Sequence, residues 1–393
     1  MNKKIPFITY LFFILCYAGQ GFSDLPSQAI YYLTRESWKL SATMLGLIIF
    51  LTSLAWYVKP AIGYLSDKFG AKKKLKTFLI INTLLIIFAT LYIVFFGLNL
   101  ISLIITTLLI NLGIAGNDVS NDKYMVKLEQ KHNLNGKCQA IQWISLGVAG
   151  LVVSLLGAVL ADKLPEGINY RVGYLISLII PVGLLVYILK YFKEFPCKIK
   201  KIKFNLSVLK NKEFLIGILF IMLLRFSPNF GTALTIQMRE TLHINKLFLG
   251  YLGATGTVLG IFGYILYYKF AYKFPLRKML YFTIIFSALT NLCYLYIPNQ
   301  WTILAYNIFF GAIDGICFLA IMSFMAKIVP IGYEGISYAL VASVNNLSAR
   351  LGGVFGGIVY DKMGYNITVI LASVTTLLCI FIIPHLIIKD KNV

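Results

Sequence analysis

Apolar stretches of bilayer length recur from one end of the 393-residue chain to the other, with short polar segments between them. Crossing about 30 Å of hydrocarbon takes roughly 20 apolar residues in a helix. The pattern predicts helices at 6–33, 42–66, 76–97, 99–122, 137–162, 170–192, 212–238, 246–270, 278–297, 300–327, 333–360 and 365–387, called spans one to twelve below. The expected fold is all-α and polytopic. The N-terminal run from Ile5 to Tyr17, preceded by Lys3 and Lys4, superficially resembles an export signal. It continues through Gly21 to Leu33 with no small-residue cleavage site, so it reads as a retained first span.

The longest polar stretch, 193–211, holds Lys198, Lys200, Lys201 and Lys203 and splits the pattern into two sets of six spans, 1–192 and 212–393. The halves echo each other. Phe22-Ser23-Asp24-Leu25-Pro26 in span one faces Phe226-Ser227-Pro228 in span seven, and Asn117-Asp118 in span four faces Ile313-Asp314 in span ten. Gly157 to Lys163, ending span five, faces Gly356 to Lys362, ending span eleven. Echoes about 200 residues apart suggest a parallel repeat, hence two pseudo-symmetric six-helix bundles, which is a transporter architecture.

Composition agrees: 59% of residues are hydrophobic and 13% charged, against about 25% charged in soluble domains. The net charge of +21 invites a nucleic-acid reading, but the Lys residues lie between apolar spans and form no basic domain. Of the 36 Lys and Arg, 26 fall on the side that holds both termini, 7 on the other, and Lys59, Arg225 and Arg350 within spans. The positive-inside rule then makes both termini and the 193–211 linker cytoplasmic, in a multi-pass protein of the plasma (inner) membrane. The six Cys are scattered without metal-ligand spacing and read as free thiols. His132, His243 and His385 have no partners at such spacing, and no phosphate-binding loop or Ser/His/Asp arrangement is present. No metal, cofactor or enzymatic reaction is expected.

The segment after span two reads Gly63-Tyr-Leu-Ser-Asp67-Lys68-Phe-Gly70-Ala-Lys72-Lys73-Lys74. It resembles the signature loop of the major facilitator superfamily, in which the Asp helps to latch an inside gate. Further stretches resemble the folate–biopterin transporter family within that superfamily: Val58-Lys59-Pro60 running into Gly63, Asn117-Asp118-Val-Ser-Asn-Asp122, Arg225-Phe-Ser-Pro228, and Pro330-Ile-Gly-Tyr-Glu334-Gly335 continuing to Asn345-Asn346. The segment after Gly70 is shorter and richer in Lys than that pattern, and Asn121-Asp122 stands where a Val-Asp pair is expected. The resemblance implies a secondary transporter of folates or pterins, working by alternating access, coupled to protons and functional as a monomer. Two alternatives stay open: another solute of the superfamily (a drug, sugar or organic anion), or a receptor-like homologue that no longer transports.

Ionisable groups inside spans cost about 2.5–3.5 kcal/mol each on insertion scales and default to functional hypotheses. Arg225 is either a clamp for a substrate carboxylate, since a guanidinium offers a planar fork, or the partner of a buried carboxylate; Arg350 is similar. Asp24, Asp118, Asp122 and Asp314 are candidates for carrying a proton or contacting the solute; Asp24 and Asp314 could equally accept from an aminopyrimidine edge, with Asn345 and Asn346 as amide partners. Asp118 and Asp122, four apart, share a helix face and pair with Lys59 or the basic loop. Together with Gly63, Asp67 and Gly70 they form the expected cytoplasmic gate. Pro26 and Pro228 each remove a backbone hydrogen bond and are expected to kink spans one and seven.

Overall fold

The computed structural model describes residues 7–71, 74–132, 137–193, 211–228, 230–270, 274–329 and 334–386, without the side chains at 67–68, 70–71, 126–132, 137, 139–140, 268, 334–336 and 338–339. The described residues are helical, with no strand among them.

Eight helical stretches among these residues are long and apolar enough to cross a membrane. The last, Leu340–His385, contains spans eleven and twelve. They are separated at Gly364, whose φ of 80° favours glycine because it has no Cβ. Spans one, two and nine are not among the eight: the first two are divided into shorter helices, and span nine is a short helix, Leu276–Cys293, opened by Arg277 and Lys278.

The breaks follow from sequence. Span one runs as Phe7–Phe22, a turn over 23–26, a six-residue helix Ser27–Tyr32, and a five-residue π-helical turn Leu33–Ser37. Span seven repeats the arrangement with Lys212–Phe226, a break from Ser227, the six-residue helix Gly231–Ile236 and the five-residue π-helical turn Gln237–Thr241. Pro26 and Pro228 fall in the two breaks, where a missing N–H costs least. Even the π-turns match, Arg35-Glu36-Ser37 against Arg239-Glu240-Thr241.

Span two is interrupted twice, at Ser53 and again at Val58, before the helix Lys59–Ala71. Pro60 lacks an N–H and is tolerated only in a first helical turn, so the helix restarts at Lys59. At the first interruption Trp56 N–H bonds Ser53 O, freeing Thr52 O, and Asn111 Nδ2 of span four donates to that carbonyl at 3.0 Å. Trp56 Nε1 returns a bond to Asn111 Oδ1 at 3.1 Å.

The chain forms two compact units, one of Met1–Trp38 with Leu51–Ile202, the other of Lys39–Phe50 with Lys203–Val393. In the first, Phe12, Phe13, Leu79, Ala115 and Ile188 are wholly buried or nearly so; Phe214, Phe220, Ile221, Ile284 and Phe324 play that part in the second. Meanwhile Phe95, Phe96 and Phe309 lie at least 70% exposed. Large apolar side chains turned outward in such numbers need a lipid surround.

Candidate functional site

The first unit gathers its polar side chains around span four. Lys59 Nζ lies 2.6 Å from Asp118 Oδ2, with Asp118 6% exposed. The same ammonium stands 4.9 Å from the centre of the Trp56 ring, a cation–π contact. One turn on from Asp118, Asp122 Oδ1 accepts from Tyr17 Oη of span one at 3.0 Å and from Gln142 Nε2 of span five at 3.3 Å. Gln142 also donates to Asn121 Oδ1. Ser66 and Ser120 hydroxyls meet at 3.2 Å, and Lys123 Nζ reaches Ser66 O at 3.5 Å. Spans one, two and five are thereby tied through hydrogen bonds to span four. Asp118 and Asp122 do share a face, and Lys59 does meet the first of them.

The rest of the expected gate is less fully described. The side chains of Asp67 and Gly70 lie outside the described residues. A Cβ placed on Gly63 would meet Val119 Cγ1 at 3.6 Å, an ordinary contact, so packing there does not demand glycine.

The second unit holds the other charged group. Arg225 occupies the last turn of its helix, just before the break of span seven. Span eleven packs tightly on that break: a Cβ at Gly352 would come within 2.9 Å of Arg225 O and 2.7 Å of Ser227 O. The Phe226 and Phe355 rings stack nearby at 5.6 Å and 10°. Ser227 Oγ fastens the break to span twelve, donating to Ala372 O at 2.9 Å and lying 2.7 Å from Thr375 Oγ1. Arg350, two residues before Gly352 on span eleven, is near enough for its charge to act on Arg225. Arg225 Nε is buried without a hydrogen-bond partner, and among the described residues no carboxylate lies within ion-pair distance of either guanidinium. The structural-pair alternative for Arg225 therefore has no partner among the described residues.

Asn345, 8% exposed, donates to Asn346 Oδ1 at 3.3 Å while its own Oδ1 is unpartnered. Asp314, on span ten, is exposed. Asp24 lies in the first unit, exposed, in the turn that breaks span one.

Several residues of these constellations carry no sequence motif. Tyr17, Trp56, Asn111 and Gln142 are single polar groups in apolar spans. Asp361 lies in the Gly356 to Lys362 echo, which does not reveal its contact: its carboxylate accepts from the backbone N–H groups of Ala42 at 3.0 Å and Thr43 at 2.8 Å, and from Thr43 Oγ1 at 2.6 Å. It thus caps the opening of span two from the end of span eleven.

Comparison with known proteins agrees with this architecture. A family model described as the BT1 family matches residues 20–391. A folate-biopterin transporter of Synechocystis sp. is 24% identical over 392 residues, covering 92% of this chain and 78% of its own. Folate transporter 1 of Plasmodium falciparum is 22% identical over 351 residues, covering 84% and 68%. Among solved structures, a D-xylose-proton symporter superposes with a TM-score of 0.74 at 14% identity, covering 96% and 97%. The nucleoside transporter NupG superposes with a TM-score of 0.74 at 12% identity, covering 98% and 99%. At those identities the likeness establishes the fold, that of the major facilitator transporters.

Proposed function

Because the chain belongs to the BT1 family, a family of membrane transporters, we propose that it moves folates or pterin-like solutes by alternating access, driven by protons. The observation that carries the substrate class is the pair Arg225 and Arg350. A half-buried guanidinium at a helix break, its Nε buried and unbonded, beside a second one and without a described carboxylate partner, calls for an anion. A planar fork matches a carboxylate, which folates bear. Asn345 Oδ1, an unpartnered buried acceptor, suits an amino group, and Asp314 offers a second acceptor.

In this reading Lys59, Asp118 and Asp122, with Gly63, Asp67 and Gly70 beyond them, form the cytoplasmic gate. The termini and the 193–211 linker face the cytoplasm across the plasma (inner) membrane, and the monomer is the working unit.

Purified protein in proteoliposomes tests the substrate class. Uptake of labelled folic acid that unlabelled pterins inhibit, and that xylose and uridine leave alone, supports the reading. Uptake inhibited by xylose or uridine, or no uptake of folates and pterins, overturns it.

A further inference from the structure

Spans one, three, four and six of the first unit enclose a small polar cavity. Its volume is about 20 Å³, room for a single water. Cys16, Gln20, Ser23, Asn117, Tyr174 and Ser177 supply its polar lining. Asn117 is 4% exposed. Its Nδ2 donates to Thr83 Oγ1 at 3.1 Å, while its Oδ1 is buried without a partner. A buried acceptor left unmet costs about 1–3 kcal/mol, so this wall of the cavity calls for a donor.

The cavity lies between two acidic regions, and none of their carboxylates lines it. At one end Ser23 precedes Asp24, whose charge reaches Tyr174 on the cavity wall. Asp24 is exposed. At the other end Cys16 and Asn117 adjoin Tyr17 and Asp118, and through them Asp122. The groups facing Asp122 are Tyr17 and Cys16 from span one, Lys59 from span two, Asp118 from its own helix and Gln142 from span five. Lys59 alone among these is cationic, and it lies against Asp118. With both carboxylates ionised, the groups just named therefore hold one negative charge in excess. An uncompensated charge inside a bundle is costly, and one proton removes the excess.

We infer that Asp122 is the site of the coupling proton, loaded from Asp24 through the hydrated cavity beside Asn117. This rests on the reading of the protein as a proton-driven transporter and narrows the four carboxylates that the sequence offers for the proton to one. The proton passes from solvent to the Asp24 carboxylate, across the cavity water to Asp122, and leaves to solvent on the other side. When Asp122 is ionised Lys59 is drawn to two carboxylates of span four; when it is protonated, to Asp118 alone. Proton occupancy thus changes how firmly span two is held to span four.

Two measurements separate this from the substrate reading. The first needs no solute: infrared pH-difference spectra of reconstituted protein should show a protonated-carboxyl band that Asp122→Asn removes and Asp314→Asn keeps. The second is folic acid accumulation in proteoliposomes under an inward proton gradient. Wild type should concentrate it, and Asp122→Asn should only equilibrate it. If wild type takes up no folic acid, the substrate reading fails and the infrared spectra still decide Asp122. Asn117→Ala, which leaves every charge in place, guards against a variant that does not fold and should slow gradient-driven accumulation several-fold. An unchanged carboxyl band in Asp122→Asn, gradient-driven concentration in that variant, or an unchanged rate in Asn117→Ala would overturn the inference.

Discussion

The two units treat their half-buried cations in opposite ways. In the first, Lys59 is held by Asp118 at 2.6 Å and covered by Trp56. In the second, Arg225 has Arg350 for a neighbour and no described carboxylate within ion-pair distance. A pair that satisfies itself needs no ligand and is suited to a gate or a coupling device. A guanidinium that lacks its anion is suited to receiving one. The contrast is instructive because the scaffolds are so alike: spans one and seven break at corresponding places and end in π-turns of the same length. One architecture, used twice, carries two divisions of labour set by where the carboxylates stand.

Breaking the paired side should have the largest effect. Lys59→Met strands Asp118 as an uncompensated buried charge, and such losses cost about 3–5 kcal/mol; because Lys59 is 23% exposed, the low end is expected. Thermal unfolding in detergent should show it, and Lys59→Met with Asp118→Leu should recover most of the loss. The corresponding change on the unpaired side, Arg225→Met, should leave stability unchanged or raised.

Next in size is Gly352→Ala. Its Cβ would press on backbone oxygens of Arg225 and Ser227, which cannot swing aside as a flexible side chain can. Overpacking costs typically 1–3 kcal/mol, and the shift should carry Arg225 with it, so solute affinity should fall together with stability. Affinity lost at unchanged stability would separate Gly352 from the packing.

The smallest effect expected is at Asp361. Asp361→Ala removes the cap from Ala42 and Thr43, worth about 1 kcal/mol, read as a modest drop in unfolding temperature with affinity for the solute intact.

How much of this the sequence reveals depends on the range of each interaction. The breaks of spans one and seven are readable because Pro26 and Pro228 act on their own helices. The shared face of Asp118 and Asp122 is readable because it is one helical turn, and their charge points to Lys59. Gln142 and Tyr17 give no comparable signal: an amide or phenol in an apolar span is common, and only the fold brings it to Asp122. Asp361 and Thr43 are 318 residues apart, and no local pattern marks a carboxylate that caps so distant a helix. Span two, predicted as one helix over 42–66, is three, because Ser53 and Val58 end helical segments that hydropathy alone reads as continuous.

In this reading Arg225, which has no carboxylate partner among the described residues, receives the anionic part of the solute. Binding of two ligands to two proteins tests this: folic acid, and a pterin without any carboxylate, to wild type and Arg225→Gln. Charge-assisted hydrogen bonds to a carboxylate contribute about 1.5–3 kcal/mol, so folic acid should bind the variant at least about tenfold more weakly. Arg225→Lys, which keeps the charge and loses the fork, should fall between. The uncharged pterin should bind both proteins alike. Equal losses for the two ligands, or no loss for folic acid, would contradict the account.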